Sequence, residues 1–484
     1  MTADQSKSPE GLEALNCRVA REFELLTLPA PYWVPEQRID GAPLLEVAII
    51  GAGMAGLSAA AALRNMGVRA ISFDRRPEGF EGPWATTARM ETLRSPKTLT
   101  GPALGIPSLT FRAWFEAQFG PEDWAQLDKI PRLMWMDYLR WFRQVLDLDV
   151  RNGHDIAAIR LGADHVTLEI EAATSRQRVR ARHVVLATGR DGLGGPAVPD
   201  LADSLPRERW AHSSDTNDYA ALSGKRVAVV GAGASAMDSA GTALEAGAAR
   251  VDLLIRRKDL PRINRGKGMG HAGAIAGYRH LTDAWKWRIN SYIAREQVPP
   301  PRASVLRVSH HPNAFFRQGT SLVSAQMDGD EIVVETSIGT MRFDFIIFST
   351  GFKVDWAHRP FLTEIAACAR NWADRGMPPD AEETLGAMPD LGPAFEFQPK
   401  VAGTCPGLER VHCFCYPAMM SHGTVSGDIP AISDGAARLS EAIASGLFVE
   451  DVATHFRRGQ DYAEPEIFGD EWVPAPPLPI AVPA

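Results

Sequence analysis

The sequence predicts an α/β protein built from two βαβ units, the second inserted within the first. Three observations predict this. A strand-like run, a glycine turn and an alanine-rich helix occur twice, as VAIIGAGMAG (47–56) and VAVVGAGASA (227–236), with turns opening at Gly51 and Gly231. Each unit later shows three short alternating strands, which read as an antiparallel meander. Each meander feeds an apolar strand that ends in a small-residue–Thr–Gly turn, ATG at 187–189 and STG at 349–351.

The 484 residues exceed one ordinary core and suit two or three domains. A hydrophobic fraction of 45% and a charged fraction of 23% are those of a soluble globular chain. The net charge of −8 argues against a general nucleic-acid binder. The N-terminus holds no apolar stretch of signal-peptide length, and no run approaches the roughly 20 residues that span a bilayer. A cytoplasmic protein without membrane or nucleic-acid partners is therefore expected. Five cysteines do not make a disulfide framework; a strand would put Cys413 and Cys415 on one face, which allows a metal or redox role, but these two and Cys405 are expected as buried reduced thiols.

In chain order, residues 1–40 predict one helix and a proline-punctuated segment, together a wrapping arm. A first domain part follows over 41–210. Its glycine turn leads into a helix stopped by Gly67, then into the strand VRAISF that ends at Asp74. Runs at 156–161, 165–172 and 177–182 form the first meander. The second domain is expected over 211–340, with its own turn, its strand RVDLLI and its own meander. A tract at 269–303, helix-like with interleaved aromatic and basic residues, has no place in a minimal unit; it reads as a lid or an oligomer contact. The first domain resumes over 341–450, and 451–484 is a proline-rich tail.

Gly51, Gly53 and Gly56 complete a G-x-G-x-x-G between strand and helix. Gly51 permits the tight turn, Gly53 lets a pyrophosphate approach the backbone, and Gly56 lets helix and strand pack closely. The helix start offers free N–H groups to phosphates. Asp74 lies where an acid accepts hydrogen bonds from a ribose, which fits FAD or NAD rather than NADP. The second turn keeps Gly231 and Gly233, with Ala236 in the third place; Ala234 and Ser235 open its helix. Its strand ends in Arg256, Arg257 and Lys258, suited to a 2′-phosphate, so NADPH is expected there.

These features together resemble the two-domain flavoprotein fold: two Rossmann-like dinucleotide-binding domains, the NADPH domain inserted in the FAD domain. The disulfide-reductase branch needs a redox cysteine pair that this chain lacks. Over roughly 45–450 the chain resembles a divergent member of the class B flavin-dependent monooxygenases, which include flavin-containing monooxygenases, N-hydroxylases and Baeyer–Villiger enzymes. The resemblance implies that Gly82 and Trp84 lie against the flavin and that Gly189 borders the cofactor. It sets Arg94, three residues before Lys97, where animal-type enzymes have a catalytic asparagine. It keeps His212, which with Arg94 is a catalytic candidate, and Ser213 of the family's linker signature, while Pro206, Glu208 and Thr216 depart from it. Near the C-terminus, a helix starting close to Pro430 would aim its N-terminus at the flavin, with Asp428 on the ribityl chain or capping that helix. Ser421 and His422 are candidates to face substrate. No metal site is expected. The implied activity is insertion of one oxygen atom from O2 into a small molecule through a flavin hydroperoxide, at a nitrogen or sulfur centre. The alternatives are Baeyer–Villiger oxygenation, an NAD(P)H:acceptor reductase or oxidase, and a flavin-binding sensor without turnover. A homo-oligomer is possible through the arm.

Overall fold

The computed structural model describes residues 9–376 and 383–478. Two parallel sheets organise the two units. In the first, the strands Val150–Asn152, Ala70–Asp74, Ala42–Ile50, Ser175–Leu186 and Val411–Cys413 lie side by side and parallel. In the second the order is Ala314–Gln318, Arg250–Ile255, Arg226–Val230, Phe345–Phe348 and Trp210–His212, again all parallel. Val47–Ile50 and Val227–Val230 are buried throughout, as strands covered on both faces must be.

The meanders differ. The second forms a separate antiparallel sheet of Leu322–Asp328, Glu331–Thr336 and Gly339–Phe343. In the first, the expected third strand and the strand into the ATG turn are one continuous run, Ser175–Leu186. Its arginine-rich, exposed half pairs with Val166–Ala172, and its buried half lies between Ala42–Ile50 and Val411–Cys413. The strand Phe345–Phe348 pairs with Val227–Val230 and so belongs to the second sheet. That moves the crossing back to the first unit from the expected residue 341 to the linker pair Gly194–Pro196 and Phe352–Val354.

Small side chains bring the helix Met54–Asn65 close to its sheet; Ala59 to Ala62 are all buried. The long helix Ile432–Glu450 packs across it. The arm helix Gly11–Leu25 buries Leu15, Val19 and Phe23 at i, i+4 and i+8, facing the helix Phe111–Gln126. The tract at 269–303 forms the helices Ala272–Gly277 and Asp283–Glu296 and leads into Arg302–Ser309. Trp287 of this tract packs with Trp372, Met388 and Met420 of the first unit. One expectation fails at Cys405, which is disulfide-bonded to Cys368. The fold lays the 400–405 loop beside the end of the helix Thr363–Cys368, where the Lys400 amide donates to the Cys368 carbonyl at 2.9 Å, a contact invisible in sequence spacing. Cys413 and Cys415 are free and buried.

Under the first sheet, His412 Nδ1 lies 2.7 Å from the Ala394 carbonyl and donates to it, so its Nε2 accepts from His183 Nδ1 at 3.0 Å. Burial pushes His412 down to about 4. Burial likewise takes His422 down to about 4. A depressed folded pKa means stability that is complete above the unfolded value near 6.5 and is lost as pH falls toward 4. At about 1.36 kcal/mol per unit, each ring contributes up to about 3 kcal/mol. The urea midpoint should therefore hold steady above about pH 7 and fall steeply below about 6. A midpoint unchanged down to about pH 4.5 would show that these rings are not buried neutral.

A candidate dinucleotide-binding cleft

The first turn is closed by backbone contacts that exclude side chains. A Cβ on Gly51, whose φ is +99°, would stand 2.6 Å from the Ala187 carbonyl oxygen, and one on Gly56 would stand 1.9 Å from that of Gly51. Gly53 caps the helix Met54–Asn65 without any side-chain bond, leaving first-turn N–H groups for a ligand. Asp74 accepts from the Ala52 and Arg76 amides, one on each oxygen at 2.8 Å. These bonds fix the carboxylate across the turn and leave one lone-pair direction per oxygen. The loop carrying Gly82 crosses directly over: its Cα lies 3.5 Å from where a Cβ on Gly53 would be. Trp84 stands edge-on to Trp135 with centroids 6.5 Å apart, and Arg132 Nη1 donates to its carbonyl at 2.5 Å.

The second turn repeats this plan with more room. A Cβ on Gly231 would meet the Ser349 carbonyl oxygen at 2.6 Å and the Ala236 Cβ at 3.4 Å. Ala236 itself is fully buried, so this turn accommodates the methyl that the first could not. Gly233 also caps its helix, Ala234–Glu245, without a side-chain bond, so the amides of Ala234 and Ser235 stay available. Beyond the strand, Arg256 is exposed and makes no side-chain bond among the described residues, while Arg257 donates to the Arg295 carbonyl.

Each small–Thr–Gly turn holds one buried hydroxyl without a partner among the described residues, Thr188 Oγ1 and Ser349 Oγ. Gly189 has φ +89° and open space around it. Uncapped helix starts, glycine cradles and orphaned hydroxyls, twice over, fit two dinucleotides with no side chain in the way.

Between the turns, Arg94 Nη2 lies 3.4 Å from Asp238 Oδ2, and Ser304 Oγ donates to Oδ1 at 2.9 Å. Asp238 is buried and Arg94 is still 41% exposed. Burial pushes the Arg94 guanidinium down, Asp238 opposes that, and nearby Arg190 adds to it. The Arg190 guanidinium sits 4.4 Å from the Tyr416 ring centroid. Burial raises the Asp428 carboxyl while Arg190 lowers it. Asp428 makes no capping bond to the turn Ile429–Ala431, so the capping role expected as an alternative is excluded. Lys97 donates to the Trp124 and Ala125 carbonyls.

Three further candidates, His212, Ser421 and His422, are buried. His212 is buried in the linker; Ser214 Oγ is 2.7 Å from Nδ1, the Ser214 amide also donates to Nδ1, and Nε2 has no partner among the described residues. Its ring borders a separate cavity of about 580 Å3 with Trp210, Lys353 and His358, a cavity that neither glycine turn lines. Ser421 and His422 are held by neighbouring side chains and backbone. Ser421 Oγ accepts from Trp372 Nε1 and the Leu391 amide. His422 stacks on Phe395 at 3.8 Å and bonds the Gly392 carbonyl through Nε2. Both are polar groups made core by tertiary partners. Sequence reasoning missed Arg190, Asp238 and Tyr278. The Tyr278 hydroxyl donates to the Met420 carbonyl and accepts from Asn290, closing the 269–303 tract over the 416–428 loop. Among the described residues no cluster could hold a metal ion, and no helix is long and apolar enough to cross a membrane.

Two paired glycine cradles on inserted parallel sheets define a two-dinucleotide flavoprotein oxidoreductase. The comparisons carry this further. The chain is 38% identical over 453 residues to an FAD-dependent urate hydroxylase of Xanthomonas campestris, covering 93% of this chain and 95% of that protein. It belongs to the FAD-dependent monooxygenases. Residues 48–191 match a family described as FAD-NAD(P)-binding, and 124–267 match the L-lysine 6-monooxygenase/L-ornithine 5-monooxygenase family. An ornithine hydroxylase from Pseudomonas aeruginosa superposes with a TM-score of 0.66 at 16% identity, covering 84% of this chain and all of that one. An ornithine N-hydroxylase from Kutzneria sp. 744 gives 0.63 at 17% identity, covering 83% and 99%; these two likenesses show the fold.

Proposed function

We propose that the protein uses NADPH, FAD and O2 to hydroxylate urate or a close analogue of the same charge, giving hydroxylated product, NADP⁺ and water. The observation that carries this is the 38% identity to the urate hydroxylase across 93% of the chain. The cleft supports it. Arg94 pairs with Asp238 through one Nη and Arg190 lies over the Tyr416 ring, two guanidinium groups that suit a planar anion better than an ammonium group.

Gly51, Gly53 and Gly56 hold the FAD pyrophosphate, and Asp74 takes the adenosine ribose through its remaining lone pairs. Gly82, Trp84, Gly189 and Asp428 line the rest of the flavin site. Gly231, Gly233, Ala234 and Ser235 take the NADPH pyrophosphate, and Arg256 with Arg257 takes the 2′-phosphate. Bound FAD supplies the activation of O2 and the transfer of one of its atoms. The residues bind, orient and exclude water: Tyr278 closes the cleft, Asp238 holds Arg94 against the second unit, and Arg94 supplies fixed positive charge.

The test is NADPH oxidation by the purified holoenzyme with and without urate, following urate's ultraviolet absorbance and oxygen uptake. Urate loss matched one-to-one by NADPH and O2 supports the reading. A second reading, N-hydroxylation of an amine, is favoured by the lysine/ornithine monooxygenase match over 124–267. It would be adopted if urate is inert and L-ornithine or L-lysine gives a hydroxylamine. Peroxide formation without product would favour an oxidase.

A further inference from the structure

Positive charge is gathered in one stretch of this acidic chain. The segment 256–302 carries 11 basic and three acidic side chains, a net of +8 where the whole chain has −8. Its three acids are all engaged: Asp259 pairs with Arg262, Glu296 with Arg265, and Asp283 with Arg375 outside the segment. Lys267, Arg279, Arg288, Arg295 and Arg302 are exposed and have no acidic partner among the described residues. Charge of one sign repels itself and works against a compact fold, so a segment that keeps it needs an anion to act on.

Contacts gather this charge beside the second glycine turn. The segment starts where the strand Arg250–Ile255 ends. The Arg257 guanidinium donates to the Arg295 carbonyl, which lays the end of the helix Asp283–Glu296 against that strand end. Arg265 pairs with Glu296 on the same helix end and so brings the turn Arg265–Met269 there as well. At the far end Ser304, two residues after Arg302, donates to Asp238 in the second turn's own helix. The middle reaches across to the first unit, where the Tyr278 hydroxyl meets the Met420 carbonyl. Both ends of the segment thus flank the second turn.

We infer, on the reading of that turn as the NADPH site, that 256–302 is an electrostatic guide for the phosphate-rich dinucleotide. It draws NADPH in faster than NADH, before either touches Arg256. A 2′-phosphate adds about −1.5 to −2 charge at neutral pH. The field of unpaired cations acts over a Debye length, about 30 Å at 0.01 M salt and about 3 Å at 1 M, so side chains that never touch the ligand contribute. Guidance of this kind speeds encounter by about 10- to 1,000-fold. The rest of the chain sums to −16 and repels the same anion, which confines the attraction to this side of the molecule.

The test is anaerobic stopped-flow reduction of the full-length, FAD-loaded protein by NADPH and by NADH, from about 0.01 M to about 1 M salt. The second-order rate constant should fall steeply with salt for NADPH and less steeply for NADH. Lys267→Glu combined with Arg288→Glu should lower the NADPH constant about tenfold at low salt and leave it level with the parent at high salt. The limiting rate of reduction and the FAD content should not change. Lys267→Gln with Arg288→Gln should give an intermediate loss, and the charge-conserving Lys267→Arg with Arg288→Lys none. A rate constant indifferent to salt overturns the proposal. So does a loss that persists at high salt or falls on the limiting rate, which would mean direct contact with the bound ligand. None of these readouts needs a substrate to hydroxylate. Salt-steered reduction with urate inert keeps the guide and removes urate, and urate turnover with salt-indifferent reduction does the reverse. Reduction by neither dinucleotide removes both.

Discussion

Gly56→Ala yields a protein that purifies with little FAD. The added methyl would stand 1.9 Å from the Gly51 carbonyl oxygen, far inside contact distance and against backbone, which cannot rotate away. Either the helix lifts from the turn or the turn opens, and each moves the helix-start N–H groups off the phosphates. Overpacking of this kind costs roughly 1–3 kcal/mol, so FAD affinity should fall roughly 10- to 100-fold. The ratio of flavin to protein absorbance after purification reads this directly, and Ala236→Gly is the internal control. The second turn already holds that methyl, with its Cβ 3.4 Å from the Cβ position of Gly231, so trimming it should leave FAD content unchanged. Full flavin content in Gly56→Ala would mean that the first turn is not the pyrophosphate cradle.

Arg256→Ala should lower kcat/KM for NADPH while leaving that for NADH nearly unchanged. Arg256 follows the strand Arg250–Ile255, is exposed, and has no side-chain partner among the described residues. A guanidinium on a phosphate makes charge-assisted bonds worth about 1.5–3 kcal/mol, so the loss should be roughly 10- to 100-fold. The Arg257 guanidinium already donates to the Arg295 carbonyl, so Arg257→Ala should give a smaller effect. Equal losses with both dinucleotides would place Arg256 in general charge steering, and no loss with either would remove it from the site.

Both turns were legible because their requirements are local. A glycine with positive φ, a small residue where helix meets strand, and an acid or a base at the end of the next strand are set within some 25 residues. The antiparallel meanders were legible from alternation. What the sequence hid was long-range. Asp238 reads as an ordinary helix residue, yet it receives Arg94 from 144 positions away. Ser421 and His422 sit beside the flavin-side helix in sequence, but Trp372, Leu391 and Phe395 draw them into the core. Arg190 directly follows the ATG turn, and that adjacency was the one signal that could have found it. His212 matched a remnant of a family signature, and the fold makes it a buried linker ring.

The insertion has a consequence for how the molecule is made. The second sheet is assembled from one continuous stretch, Trp210 to Phe348, and is complete once that stretch has emerged from the ribosome. The first is not. The end Val184–Leu186 of its strand Ser175–Leu186 stays without a neighbour on one side until Val411–Cys413 arrives, and the helix Met54–Asn65 lacks its cover until Ile432–Glu450 is synthesised. The half that begins the chain is therefore the half that finishes last, and its apolar faces wait through some of the most distant pairings in the molecule. A polypeptide cut short before residue 411 would carry a finished second sheet and an open first one. Completion of the first sheet and its helical cover is in that sense a late step that waits for residues 411–450.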